Sequence, residues 1–278
     1  MTGIIIKNIS NDYTVNCNGS NYVCKPRGKF RLENLTPLVG DIVKIDPENN
    51  QILEIKKRKN ELIRPSVANV DIAVIVTSVK DPNFDSNLLD KQLTIISYNN
   101  IVPVIYFTKL DLLPNDKRKE INQIIKYYKK IGYIVSTNPI ELLKIIENKI
   151  VVLTGQSGAG KSTLLNIIDP TLRLKTGEIS YALGRGKHTT RHTELFNTHN
   201  TYIVDTPGFS KIDFHNMPNI DIRDNMKEMF DNLHNCKYSD CMHISEEGCY
   251  VLELVKNNQI LKSRYDNYEI FIKNKANK

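Results

Sequence analysis

The chain has 278 residues, enough for two domains or three small ones. Its 40% hydrophobic and 25% charged residues are the balance of a folded globular protein and exclude a disordered or fibrous chain. No apolar run approaches the ~20 residues of a membrane span, and Met1-Thr2-Gly3-Ile4-Ile5-Ile6-Lys7 lacks the basic start and apolar length of a secretion signal. Five cysteines, an odd count, argue against a secreted disulfide framework, so the expected compartment is the cytoplasm, with no membrane contact.

The net charge of +7 is unevenly placed: residues 1–60 carry +4, residues 61–212 carry +5, and residues 213–278 carry −2. A basic front two-thirds fits a polyanionic partner such as nucleic acid. In chain order, Gly3–Ser10, Tyr13–Cys17, Tyr22–Lys25, Asp41–Ile45 and Ile52–Ile55 are short alternating runs separated by turn-rich pieces, which predicts five strands and a small β-barrel over 1–60. Its basic loop Lys25-Pro26-Arg27-Gly28-Lys29-Phe30-Arg31 suits an oligonucleotide-binding barrel.

From Asp71 the pattern changes to alternating β and α. Ile72–Thr77, Val102–Phe107, Tyr133–Ser136, Ile150–Leu153 and Tyr202–Val204 are compact Val/Ile-rich strand candidates. Between them, Asp116–Ile131 and Ile140–Ile146 have helical spacing. This predicts an α/β domain over 61–212 with a parallel sheet covered on both faces. Residues 213–278 are expected to form short helical pieces around a cysteine cluster, ending in a polar helix with Tyr265 and Tyr268.

Gly155-Gln156-Ser157-Gly158-Ala159-Gly160-Lys161-Ser162 matches G-x-x-x-x-G-K-[ST], between a predicted strand and the predicted helix Ser162–Ile168. Its glycines turn backbone N–H groups toward phosphates, with Thr163 next in line. Lys161 would neutralise the β- and γ-phosphates and Ser162 would ligate Mg²⁺. Asp205-Thr206-Pro207-Gly208 matches the D-x-x-G of GTPases, in which the Asp sits beyond the Mg²⁺ ligands and the Gly N–H reads the γ-phosphate. Thr108-Lys109-Leu110-Asp111 resembles N-K-x-D, with Thr in place of Asn. A carboxylate at Asp111 accepts both the N1–H and N2–H₂ donors of guanine, a pair that adenine does not offer. Lys109 would pack along the base, and Ser136-Thr137 forms a base-backing loop.

These motifs keep the cyclic order of a GTPase, but the chain is cut elsewhere, so they can still assemble one site for GTP or GDP. In the loop Leu183–His192, Thr189 and Thr190 both qualify to complete the Mg²⁺ shell, with Thr190 slightly favoured. Phe209 stands where many GTPases place a water-orienting Gln, which makes His188 the nearest catalytic candidate. Phosphate contact with RNA is an equal reading for Arg185, Lys187, His188 and Arg191. Cys236-x₄-Cys241-x-His243-x₅-Cys249 supplies three thiolates and an imidazole, a closed tetrahedral set for one structural Zn²⁺. His234 lies outside that set, and Cys17 and Cys24 read as small buried hydrophobes.

Taken together, Arg64-Pro65-x-x-Ala68-Asn69-Val70-Asp71, Thr108–Asp111, Gly155–Ser162, Gly184–Arg191, Asp205–Gly208 and the Cys236–Cys249 spacing resemble the bacterial ribosome small subunit-dependent GTPase A family. The resemblance implies an N-terminal OB-fold, a circularly permuted P-loop GTPase α/β domain and a mainly α zinc-binding domain. It further implies GTP hydrolysis stimulated by the small (30S) ribosomal subunit during late maturation, contact with 16S rRNA, and a catalytic role for His188. A monomer is expected. The alternatives are a permuted GTPase of the large subunit, or a nucleotide-gated RNA-binding module with negligible turnover.

Overall fold

Through Ile55 the alternation of apolar and polar residues becomes five strands, β1 (Thr2–Ile9), β2 (Asp12–Cys17), β3 (Ser20–Pro26), β4 (Ile42–Asp46) and β5 (Gln51–Ile55), with a short helix α1 (Lys29–Leu32) after β3. They close a barrel in the order β1-β2-β3-β5-β4, antiparallel throughout except for β3 beside β5. Ile5, Tyr13, Val15, Val43, Ile45 and Ile52 fill it, together with Cys17 and Cys24. Burial pushes both of these thiols up, as expected of cysteines that act as packing groups. The computed structural model describes residues 1–32, 35–63, 66–173, 194–198, 200–204, 214 and 217–276.

A hairpin of β6 (Glu61–Ile63) and β7 (Ser66–Ala68) follows the barrel. Arg58 clamps the fully buried Asp41 with two bonds of 2.7 Å and also donates to the Thr36 carbonyl at 2.6 Å. Asn69 binds the Gly40 carbonyl at 2.9 Å, and Asp71 accepts from the Ile150 amide at 2.9 Å. The barrel is thereby tied to the first strand of the next layer by side chains that a single deletion would leave unsatisfied. Lys7 adds an ion pair with Glu194 at 2.9 Å.

That layer is a six-stranded sheet in the order β10-β9-β8-β11-β13-β12. Its strands are β8 (Ile72–Ser78), β9 (Val102–Thr108), β10 (Ile134–Ser136), β11 (Ile150–Thr154), β12 (Leu195–Thr198) and β13 (Thr201–Val204). All run parallel except β12, which pairs antiparallel with β13. Alternate residues of β8 point to opposite faces. Ala73 and Ile75 face the helices α2 (Ser86–Tyr98) and α3 (Asn115–Lys130), whereas Ile72, Val74 and Val76 face α4 (Pro139–Ile146) and α5 (Lys161–Ile168). The parallel sheet covered on both faces is as the sequence predicts. Helix α2 and the edge strand β12 are additions to it.

The C-terminal segment forms α6 (Asn219–Asp224), α7 (Lys227–Asp231), α8 (Tyr250–Lys256) and α9 (Lys262–Ala276). Its core includes Phe214, Ile222, Met226, Met229, Tyr268 and Phe271. Helix α9 is not polar all round: it buries Arg264, Tyr265, Tyr268, Phe271 and Ile272. Arg264, 1% exposed, bonds Asp90 of α2 at 2.6 Å and Glu228 of α7 at 2.9 and 2.6 Å. Tyr128 of α3 and Asn267 complete the Asp90 shell at 2.5 and 2.7 Å. Burial would raise the Glu228 carboxyl, but the Arg264 charge and its hydrogen bonds outweigh this and hold it below the usual glutamate value.

Removing the guanidinium leaves two buried carboxylates uncompensated. Arg264→Ala is therefore expected to cost about 3–5 kcal/mol in urea unfolding, while Lys262→Ala, which breaks an exposed pair with Asp266, barely moves the midpoint. Because the folded Glu228 value is depressed, its contribution is complete at neutral pH and is lost as the pH falls through that value. Acid titration of unfolding should show this loss in the native chain, and Glu228→Gln should remove it.

Candidate nucleotide site and metal centre

Parallel pairing sets the C-terminal ends of β9, β8 and β11 side by side: Thr108 lies opposite Ser78, and Ile75 opposite Thr154. Ligands of open α/β sheets bind at this edge. The loop after β9 and the loop after β11 meet there, although 51 positions separate Thr108 from Ala159. The Thr108 hydroxyl donates to the Ala159 carbonyl at 2.7 Å. The threonine that stands in place of the usual asparagine thus fastens the base loop to the phosphate loop.

The phosphate loop depends on missing side chains. Gly155 has φ +135°, and a Cβ there would lie 2.1 Å from the Val76 carbonyl oxygen, so the loop can leave β11 against β8 only with glycine. Gly160 has φ +99° and precedes α5 directly. Ser157 and Gly158 form the exposed tip, Ala159 is fully buried, and Gln156 accepts a backbone bond from Ala159 at 3.2 Å. The Lys161 ammonium turns back onto the Gly155 and Gln156 carbonyls at 2.7 and 2.6 Å. Burial lowers its pKa. Ser162 is 6% exposed in the first turn of α5, where the helix dipole favours an anion.

Between the two loops lies a cleft of about 470 Å³, lined by Tyr106, Thr108, Lys109, Asp111, Thr137, Gly160 and Thr163 among others. Asp111 is exposed, in a 3-10 turn at Leu110–Leu112. Lys109 has a left-handed backbone, φ +61°, and donates to the Asp81 carbonyl in the loop after β8. Of the base-backing pair, Thr137 lines the cleft. Ser136 does not: it is 1% exposed and its hydroxyl donates to the Glu141 carboxylate at 2.6 Å. His188, Thr189, Thr190, Asp205 and Gly208 lie outside the described residues. Val204, which precedes Asp205, ends β13 opposite Val152 of β11.

In the C-terminal segment, the ligand atoms of Cys236, Cys241, His243 and Cys249 lie within 4.8 Å of one another. Cys236 Sγ is 4.0 Å from Cys249 Sγ, and His243 Nδ1 is 3.6 and 3.3 Å from those two sulfurs. Tetrahedral ligands at the usual Zn–S and Zn–N distances stand about 3.5 Å apart, so the donor set fits Zn²⁺. His243 Nε2 is 3.1 Å from the Met229 carbonyl, which fixes that nitrogen as the donor and leaves Nδ1 for a metal. Burial pushes the Cys249 thiol up to about 12, and only a cation would make such a buried thiolate favourable. Tyr265 and Tyr268 of α9 hold the loop by its His243 and Met242 carbonyls at 2.8 and 2.6 Å. His234 is not one of the clustered residues.

Residues 55–215 match the family described as RsgA GTPase, and residues 2–52 match the RsgA N-terminal domain. The chain is 45% identical over 280 residues to the small ribosomal subunit biogenesis GTPase RsgA 2 of Oceanobacillus iheyensis, covering 97% of this chain and 96% of that one. It is also 45% identical to the small ribosomal subunit biogenesis GTPase RsgA of Enterococcus faecalis, covering 98% and 94%. Among solved structures it is similar to YloQ, described as a circularly permuted GTPase, with 35% identity, a TM-score of 0.84 and coverage of 99% and 95%. It is similar as well to YjeQ from Thermotoga maritima, with 32% identity, a TM-score of 0.88 and coverage of 100% and 99%. With likeness of this degree along its whole length, and with the base loop preceding the phosphate loop it touches, the chain belongs to the RsgA family of circularly permuted GTPases.

Proposed function

We propose that the chain binds GTP in the cleft between the Thr108 and Gly155 loops and hydrolyses it when bound to the small ribosomal subunit, late in maturation of that subunit. The observation that carries this reading is the Thr108–Ala159 bond, which brings a guanine-reading loop and a phosphate-cradling loop to one cleft. The names of the curated relatives support the small subunit as the partner, and the large-subunit alternative is not favoured. The barrel and its basic loop are the proposed contact with 16S rRNA. The division into 1–60, 61–212 and 213–278, the monomeric state and the cytoplasmic location belong to the same reading. Among the described residues no helix is long and apolar enough to cross a membrane.

In this mechanism Asp111 accepts the guanine N1–H and N2–H₂ donors, Lys109 covers the base, and Thr137 backs it from the next loop. Backbone N–H groups from Gly155 to Gly160 face the phosphates, and Thr163 borders the same space. Lys161 exchanges its two carbonyl partners for β- and γ-phosphate oxygens. Ser162, with Thr190 or Thr189, would hold Mg²⁺, which supplies charge neutralisation at the phosphates, and Asp205 would act through a water on that ion. Gly208 would read the γ-phosphate through its N–H. His188 would orient or deprotonate the attacking water once the subunit has ordered its loop.

Asp111→Asn should reverse the donor and acceptor pattern and shift preference from GTP toward xanthosine triphosphate on the order of 10⁴-fold, measured by competition binding. Retained GTP preference would remove the guanine assignment. Hydrolysis should rise strongly with purified small subunits and not with large ones, and His188→Ala should lose the stimulated rate while keeping subunit binding. Stimulation by neither subunit would favour an inert switch. One zinc per chain is expected by elemental analysis, and Cys249→Ser should lose the metal and lower the unfolding midpoint of the C-terminal segment.

A further inference from the structure

Helix α3 buries Ile121, Ile125 and Tyr128 against the sheet. At about 100° per residue, Lys119, Lys126 and Lys130 fall within ~40° of one another on the opposite side, flanked by Arg118 and Lys129. All five are exposed, and among the described residues none of them is in an ion pair. The acids of the helix lie on the other flank, where Glu120 pairs with Lys117 at 3.0 Å. Along the exposed ridge basic residues recur over about 18 Å, the rise of twelve residues, with the neutral Asn122 and Gln123 between Lys119 and Lys126.

Helix stability accounts for part of this pattern only: Lys129 and Lys130 stand in the last turn, where the dipole favours cations, but the other basic residues do not. Lys126 and Lys130 stand four residues apart, where like charges repel. Lys117, Arg118 and Lys119 occupy the first turns, where the helix dipole favours anions. The ridge also continues past the end of the helix. Lys227 of α7 reaches over the turn, its ammonium 5.7 Å from the Tyr133 ring, and a Cβ on Gly132 would touch it at 3.4 Å. A surface formed by the α/β sheet layer and the C-terminal segment together is thus lined with cations that have no ion-pair partner among the described residues.

We propose that this ridge, Arg118 to Lys130 extended by Lys227, is a docking face for the phosphate backbone of RNA, separate from the nucleotide cleft and from the basic loop of the barrel. The inference rests on the reading of the chain as a small-subunit-binding GTPase. It adds a second polyanion contact, on the helix that follows the base loop, that spans both the sheet layer and the C-terminal segment.

The test uses the full chain carrying Lys119→Gln, Lys126→Gln and Lys130→Gln, with purified small subunits and a non-hydrolysable GTP analogue across a salt series. Each lost phosphate contact removes a released counterion, so the slope of log affinity against log salt should become shallower by about 2 to 3. Affinity at low salt should fall about tenfold or more, and the matching Lys→Arg triple should retain both. Subunit-free GTP hydrolysis and the unfolding midpoint should not change, which shows that the variant is folded. An unchanged slope, whatever the affinity, overturns the ridge as an RNA contact. Failure of the unmodified chain to bind small subunits would overturn the functional reading as well, so the two failures are told apart in one experiment.

Discussion

Strand β8 contributes no motif of its own, yet the nucleotide site depends on its position. It lies between β9 and β11 in parallel register, so the loops that leave its two neighbours must emerge at the same height on the same edge. Gly155 shows how tight this constraint is, because the phosphate loop leaves β11 so close to the Val76 carbonyl that any side chain would collide. The same closeness lets one hydroxyl, that of Thr108, reach across to Ala159. Two loops distant in sequence become a single cleft because the strand between them is buried on both faces and paired in register with both neighbours.

This constraint explains how a permuted chain still brings these two loops together. The sheet requires only that the strands stand in a given order, and breaking or joining the chain at the opposite edge leaves that order intact. Permutation alters instead the segment into which the last strand runs. In this chain β13 leads to Phe214, whose ring packs tilted against Phe271 of α9 at 4.9 Å between centroids and lies under Lys91 of α2 at 5.7 Å. Phe214 is thereby fixed by contacts with α9 and α2, and α9 is fixed to α2 by the Arg264 cluster.

Most of the strands were legible in the sequence because burial tracks alternation. The five barrel strands and the central strands of the sheet differ from their expected bounds by a residue or two. Helix α2 was not legible, because its buried face carries Asp90, Gln92 and Thr94 alongside Leu89, Leu93 and Ile96, and a periodicity search for apolar residues passes over it. Only Asp85, whose side chain accepts from Leu88 at 3.0 Å, offered a local sign of its start. Strand β12 is short and sits at an antiparallel edge. Lys161 and Asp111 at the cleft, and the cysteine cluster in the C-terminal segment, stand out from spacing alone. Side-chain orientation and distant partners could not: only Thr137 of the Ser136-Thr137 pair lines the cleft, and nothing near Arg264 in the chain announces carboxylates on two other helices.

The Arg264 cluster has a consequence for the order in which the molecule can be made. Asp90 is synthesised 174 residues before the guanidinium that neutralises it, and Glu228 precedes it by 36. A nascent chain that has already paired its sheet holds the Asp90 carboxylate on α2 with Tyr128 but without its cation, and that group keeps water around it until Arg264 arrives. Completion of the enzyme therefore waits on the translation of α9, and a fragment released early from the ribosome would be left with its helices loosely seated and open to proteolysis.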